Sequence, residues 1–322
     1  MKRQLLLLFC MAHLGTQLQG MSFFRSDEEN LLHCVQKGDY KKVADLLEKG
    51  VNPNSTVTKK SDVWQKSMLT PLMLAAKHNH PKIITLLLAY KADPMLTNDF
   101  GATALHIAAL QGNTEAMEAL LVAPGIEVDA RDKYQHTPLM YASENGHVPA
   151  AQLLLDNKAN INLEGITLVR NLTQPYFSPL SHKKKIWTAL HYAAYNNQPD
   201  MVEFLINNGA KGKRQALKIA VQNGKVQSAA VLIKHGTPIH VREGYNLLSY
   251  AIDDNNDLEM VELLLKNGSD ASRYVGSLSV GPHLQKLISA YESQRKASTQ
   301  EKETEEKNVP LLAAEKSTDE KK

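Results

Sequence analysis

Cysteine is almost missing from this chain. Cys10 and Cys34 are the only two in 322 residues, too few for a disulfide scaffold or a structural zinc site, and they leave the redox compartment open. The short signatures of catalysis are absent too. No G-x-x-x-x-G-K-[ST] phosphate loop, G-x-G-x-x-G fingerprint, H-E-x-x-H zinc motif or G-x-S-x-G elbow occurs anywhere. The apolar run from Leu5 to Leu14 is too short to cross a bilayer. The net charge of +3 names no partner by itself. These absences argue against an enzyme, a cofactor, a small-molecule substrate and a membrane span.

What is present is repetition. Hydrophobic residues make up 43% of the chain, enough for a packed core. The stretch from Phe100 to Asp132 is the clearest unit. It has a turn glycine (Gly101), Thr103 as helix N-cap, an Ala-rich helix through Ala109, a break at Gly112 and a second helix. That second helix carries Ala116, Met117, Leu120 and Leu121 on one face. Two helices this short cannot bury that face alone and need copies on either side. Thr70 stands 33 residues before Thr103 and Thr137 stands 34 after it, opening Thr70-Pro71-Leu72-Met73 and Thr137-Pro138-Leu139-Met140. Thr188-Ala189-Leu190-His191 opens another.

This pattern resembles the ankyrin repeat, whose unit of about 33 residues begins T-P-L-H-x-A. The resemblance implies an all-α solenoid of helix pairs with short β-turn or hairpin tips, capped at both ends. About seven units fit between residues 26 and 291, within a repeat domain spanning 21–291. A solenoid grows in one dimension, so the usual length-to-domain rule does not apply.

Along the chain, Lys2, Arg3 and the apolar run have the layout of a secretory signal peptide over residues 1–20, although Leu18 is a poor residue at the cleavage site. The alternative is a start at Met21 and a cytosolic protein. Ser26 and Glu29 open the first unit as a helix cap, with Leu31, Leu32, Val35, Val43, Leu46 and Leu47 facing inward. A loop over Pro53–Ser67 follows, in which Trp64 is expected to pack back on the solenoid. Lys91 and Lys158 occupy the place where Gly50, Gly209, Gly236 and Gly268 end the second helix in a left-handed turn. Thr137 to Thr188 is 51 residues, about 17 more than one period, and the insertion at about 163–186 separates units four and five. Insertions of this kind map to loops on one face, often the binding face. Unit six is degenerate: its helix reads Gln215-Ala216-Leu217-Lys218-Ile219-Ala220, and its turn is clipped at Gly212-Lys213-Arg214. Leu284, Leu287, Ile288 and Tyr291 form a capping helix, and residues 292–322 read as a disordered charged tail.

His106 and His191 attract attention as catalytic candidates. The resemblance gives them a structural role instead, with the imidazole hydrogen-bonding neighbouring turns. His78 and His80 lack partners at metal-ligand spacing, and Cys34 reads as a small core residue. No metal site is expected.

Function therefore falls to the surface. The resemblance implies that turn tips and first helices hold a protein partner. The tips place Phe100, Tyr134, Trp187 and Tyr245; the positions after the Ala pair place His78, Gln111, Asn145, Tyr195 and Asn196. Aromatic residues in register are the types that dominate binding energy. Gln135 and Ile186 stand where the pattern has its turn glycine, which predicts displaced tips there. Ten Lys or Arg, including Lys183, Lys184 and Lys185, face three acids between His182 and Glu243, leaving 27 basic against 31 acidic residues elsewhere. This points to an acidic patch on the partner; nucleic acid fits less well, because no nucleic-acid module accompanies the basic residues. The expected function is non-catalytic protein–protein interaction, in an exported bacterial protein or a host-targeted effector. The alternative is a targeting or regulatory arm of an enzyme system.

Overall fold

The computed structural model describes residues 26–56, 68–167, 185–239, 247–254, 257–276 and 280–307. Trp64, the signal-peptide segment, Lys183, Lys184 and Tyr245 lie outside these residues. The chain forms two units, divided between Tyr192 and Ala193.

The N-terminal unit is a row of helix pairs: α1 (Asp27–Lys37) with α2 (Tyr40–Glu48), α3 (Pro71–Lys77) with α4 (Pro81–Ala89), α5 (Ala104–Gln111) with α6 (Thr114–Leu121), and α7 (Pro138–Glu144) with α8 (Val148–Asp156). Each start has a local cause. The Ser26 hydroxyl accepts the Glu29 N–H at 3.2 Å, and the Thr70 hydroxyl accepts that of Met73 at 3.2 Å. Pro71 and Pro138 occupy the first turn, where a missing N–H costs nothing. Between the helices of a pair the chain turns through the left-handed region, at Gly38, Gly112 and Gly146 and also at Asn79, φ +54°.

First helices pack on first helices (α1 on α3, α3 on α5, α5 on α7) and second on second. The seam is dry. Leu72, Met73, Ile83, Ile84, Leu87, Leu105, Met117, Leu120, Leu139 and Leu154 are fully buried, each worth about 2 kcal/mol of transfer free energy. Ala75, Ala76, Ala108, Ala109, Ala142 and Ala150 are buried between them, letting the backbones approach. Leu32, Leu46 and Cys34 are only half-buried; the sequence reading puts them in the core, but α1 and α2 close the row and have a neighbouring pair on one side only.

The insertion is not simply a loop. Its two described ends pair as antiparallel strands, β1 (Gly165–Thr167) and β2 (Lys185–Trp187), with Gly165 opposite Trp187, Ile166 opposite Ile186 and Thr167 opposite Lys185. Helix α9 (Ala189–Tyr195) begins directly after.

The C-terminal unit continues with α10 (Pro199–Asn207), α11 (Lys213–Gln222), α12 (Val226–Lys234), α13 (Leu247–Ser249, extended by a π-helical turn through Asp254), α14 (Leu258–Lys266) and α15 (Pro282–Lys307). Leu217, Ala220, Leu232, Leu248, Met260, Val261 and Leu264 build its core. Helix α15 corrects the expectation of disorder from residue 292: it runs on to Lys307. Glu292 is buried, and its carboxylate accepts the Ala271 N–H at 3.1 Å and pairs with Arg295 at 3.4 Å. Arg295 also reaches Asp270 at 3.1 Å. This fastening carries the helix one turn past Tyr291, and the Gln, Glu and Lys residues beyond are good helix formers.

Candidate functional site

Two fingers project from the N-terminal unit, built to the same plan. In the first, Asn98 N–H bonds Ala102 O at 3.0 Å and Gly101 N–H bonds Asn98 O at 2.9 Å. In the second, Asp132 N–H bonds His136 O at 3.0 Å and Gln135 N–H bonds Asp132 O at 2.9 Å. Gly101 has φ +80° and Gln135 +62°. Gln135 thus accepts the left-handed conformation its glycine counterpart would take, and the predicted displacement of this tip does not occur. Ile186 lies in β2, where no such turn forms, so the fifth tip is rebuilt as a hairpin.

Adjacent fingers are joined through the main chain. Lys133 N–H donates to Phe100 O at 3.0 Å, and Ile166 N–H donates to Tyr134 O at 2.7 Å. Lys133 Nζ reaches Asp99 O at 2.6 Å, and Arg131 reaches Glu164 O at 3.1 Å. The result is a ladder running from the first finger through the second to the hairpin. It presents Phe100 (54% exposed), Tyr134 (40%) and Ile186 (58%), and Met68 before it donates its N–H to Asp99 at 3.1 Å and is also exposed.

A polar cluster beneath holds this ladder in place. The Asp132 carboxylate is buried and accepts the N–H groups of Tyr134 and His136 at 2.8 Å and the Tyr141 hydroxyl at 2.8 Å. Burial, reinforced by that hydrogen bond, pushes the Tyr141 phenol well above its ordinary range. The His106 Nδ1 accepts from the Thr103 N–H at 3.1 Å, so its Nε2–H donates to His136 O at 3.1 Å. Burial holds this imidazole below its ordinary value and therefore neutral. His136 Nε2 lies 3.1 Å from Ile166 O and 2.7 Å from the Tyr192 hydroxyl. Each histidine ties one finger to the next. The structural role expected for His106 is what its geometry performs, and His191 does the same locally, its Nδ1 accepting from the Thr188 N–H at 3.0 Å.

The expected surface residues do not all reach the surface. Trp187 is a correction: it is buried, its ring edge-on to Tyr192 at 5.2 Å, because pairing of β2 with β1 turns it inward over Gly165. Phe100, Tyr134, Gln111 and Asn145 are exposed, while His78, Tyr195 and Asn196 are half-buried. Burial, with Lys77 and His80 nearby, lowers the basicity of His78. Met68 and Ile186 were missed by the sequence reading; the signal available was their position two residues before Thr70 and Thr188. Among the described residues no group of three or more His, Cys, Asp or Glu could hold a metal ion, and no helix is long and apolar enough to cross a membrane.

Comparison with known proteins agrees with this geometry. The family model for ankyrin repeats matches three times, over residues 31–132, 72–165 and 190–274, together more than half the chain. The B-cell lymphoma 3 protein homolog of Mus musculus is 27% identical over 225 residues, covering 64% of this chain and 45% of that protein. The transient receptor potential cation channel subfamily A member 1 of Homo sapiens is 34% identical over 202 residues, covering 62% of this chain and 15% of that protein. The chain thus spans less than two thirds of the length of these relatives. The crystal structure of the human ASB11 ankyrin repeat domain superposes with a TM-score of 0.59 at 20% identity, covering 75% of this chain and 99% of that domain. Repeat period, finger geometry and family match converge: the chain belongs to the ankyrin-repeat family.

Proposed function

We propose that this protein is a non-catalytic binding module that holds another protein along the finger ladder and first-helix faces of its N-terminal unit. The observation that carries this is the pairing of exposure with rigidity: Phe100, Tyr134 and Ile186 stand in solvent while their backbones are fixed by inter-finger hydrogen bonds. Large apolar side chains carried on a backbone already ordered before contact spare the entropy of ordering the loop on binding, and such residues are where interface energy concentrates. The partner carries an acidic patch facing the cation-rich part of the chain.

Affinity capture with the intact chain tests the reading. The variant Phe100→Ala/Tyr134→Ala should recover about tenfold less partner, as expected for loss of interface aromatics, with an unchanged melting temperature. Undiminished recovery, or a hydrolase or transferase activity in the purified chain, would contradict it.

Export, in a secreted protein or effector, is supported by Lys2, Arg3 and the apolar run Leu5–Leu14. N-terminal sequencing of the natural protein decides it: a mature start near residue 21 in the extracellular fraction supports export, and a cell-retained protein starting at Met1 opposes it.

A further inference from the structure

The finger ladder ends on an open strand edge. Ile166 turns both of its main-chain groups toward the second finger: its N–H donates to Tyr134 O at 2.7 Å, and its oxygen lies 3.1 Å from His136 Nε2. Ile166 stands opposite Ile186 in the β1–β2 pair. The two are therefore a non-hydrogen-bonded pair, and the N–H and C=O of Ile186 point away from β1. Neither group has a hydrogen-bond partner among the described residues. In the two fingers before it, the oxygens of Phe100 and Tyr134 are taken by the N–H groups of Lys133 and Ile166. The Ile186 oxygen is the next acceptor in that series.

The surroundings of this edge give it a direction. Directly opposite residues share a face, so Ile166 and Ile186 line the outer side while Trp187 is buried on the inner one. With Leu163, Gly165, Gln135 and Arg131 the two isoleucines border a groove of about 360 Å³. Lys183-Lys184-Lys185 lead into β2. The exposed Glu164 precedes Gly165, which faces Trp187 at the other end. Charge is positive where β2 begins and negative beside its finish. At that far end the edge closes, because Thr188 N–H donates to His191 Nδ1 at 3.0 Å.

Resting on the reading of the ladder as a protein-binding surface, we propose that the Ile186 edge takes an extended acidic segment of the partner as an added antiparallel strand. One residue of that segment exchanges both main-chain hydrogen bonds with Ile186. Its side chain lies on the outer face beside the two isoleucines, which favours a β-branched apolar residue there. Antiparallel direction sends the residues that follow toward the lysines, so the recognised order is an apolar residue and then carboxylates. Lysines on an edge discourage indiscriminate pairing and select for this partner. A second copy fits poorly. Self-pairing about Ile186 sets the lysine run of each copy against Thr188 and the start of α9 in the other, where the main-chain groups are already used.

Fluorescence anisotropy on the intact chain with labelled Val-Thr-Ile-Glu-Glu-Glu tests this. The peptide should bind, more weakly as salt rises. N-methylation of its Ile amide removes one hydrogen bond and no charge, and should raise the Kd about tenfold. Ile186→Pro deletes the outward N–H, a change that an edge strand tolerates, and should do the same with an unchanged melting temperature. Phe100→Ala/Tyr134→Ala should leave peptide binding within about twofold, so failure of the aromatic reading and failure of this one are separable. Absence of peptide binding would overturn the proposal, as would equal affinity for the reversed peptide Glu-Glu-Glu-Ile-Thr-Val, for hexaglutamate or for the N-methylated form. A dimer of the chain that Ile186→Pro disperses, in place of peptide binding, would overturn it as well.

Discussion

Repeats three and six bury the same positions and share almost nothing else. Leu105, Ala108 and Leu120 in one correspond to Leu217, Ala220 and Leu232 in the other, all fully buried. Outside that pattern they are opposites. Residues 98–130 carry five acids and no Lys or Arg; residues 211–239 carry six Lys or Arg and no acid. One has a finger locked by a neutral histidine, and the other opens its helix at a bare glycine. The comparison teaches that helical spacing alone specifies the core. Fingers and charge vary freely around it, and binding specificity resides in them.

The largest effect should be the shared one. Leu105→Ala and Leu217→Ala should each cost about 3 kcal/mol in denaturant unfolding. A cost confined to one of them would break the claim that the two cores are equivalent. Next comes the finger anchor. Asp132→Ala strips the Tyr134 and His136 N–H groups and the Tyr141 hydroxyl of their acceptor, at about 2–3 kcal/mol. Lys218→Ala, in the finger-less repeat, should cost less than about 0.5 kcal/mol. Similar losses at the two sites would remove the distinction.

Smaller still is the backbone effect. Lys91 and Lys158 end their second helices at φ +63° and +67°, where repeat six has Gly236 at +74°. Lys158→Gly should raise stability by about 1 kcal/mol, and Gly236→Lys should lower it by a similar amount. A fall in melting temperature on Lys158→Gly would show that the lysine side chain contributes more than its backbone costs.

The smallest effect is pH dependence. Because burial depresses the His106 pKa below its ordinary 6.5, the unfolded chain takes up a proton there before the native one does. Its contribution is constant above pH 6.5 and falls as pH drops below it, toward the folded value. Glu144 works the other way: burial raises its pKa above 4.5, so its ionisation opposes folding as pH rises past that point. A His106→Gln variant should flatten the decline below pH 6.5, measured by urea unfolding; an unchanged slope would mean another group controls it.

The sequence made most of the scaffold legible, since Thr caps, paired glycines and the period of 33 or 34 residues are local features. It also located the strained Lys91 and Lys158, because glycine fills that position in sister repeats. What it concealed depends on contacts distant in sequence. The pairing of Gly165 with Trp187 joins residues on either side of the long insertion, and it is this pairing that buries Trp187. The helix beyond Tyr291 lacks an apolar stripe; the Glu292 carboxylate anchors it to the Ala271 N–H, a contact across 21 residues. His136 and Tyr141 drew no notice because the motif histidine is replaced by Met140 in repeat four. Their tie to Asp132 and Ile166 exists only once the fingers are folded.

Hydrogen–deuterium exchange on the intact chain, alone and with its captured partner, tests the central claim most directly. Slowed exchange in the fingers, at residues 98–102 and 132–136, with α4, α6 and α8 unchanged is the predicted result. Protection confined to those second helices, with the fingers exchanging as before, would contradict it.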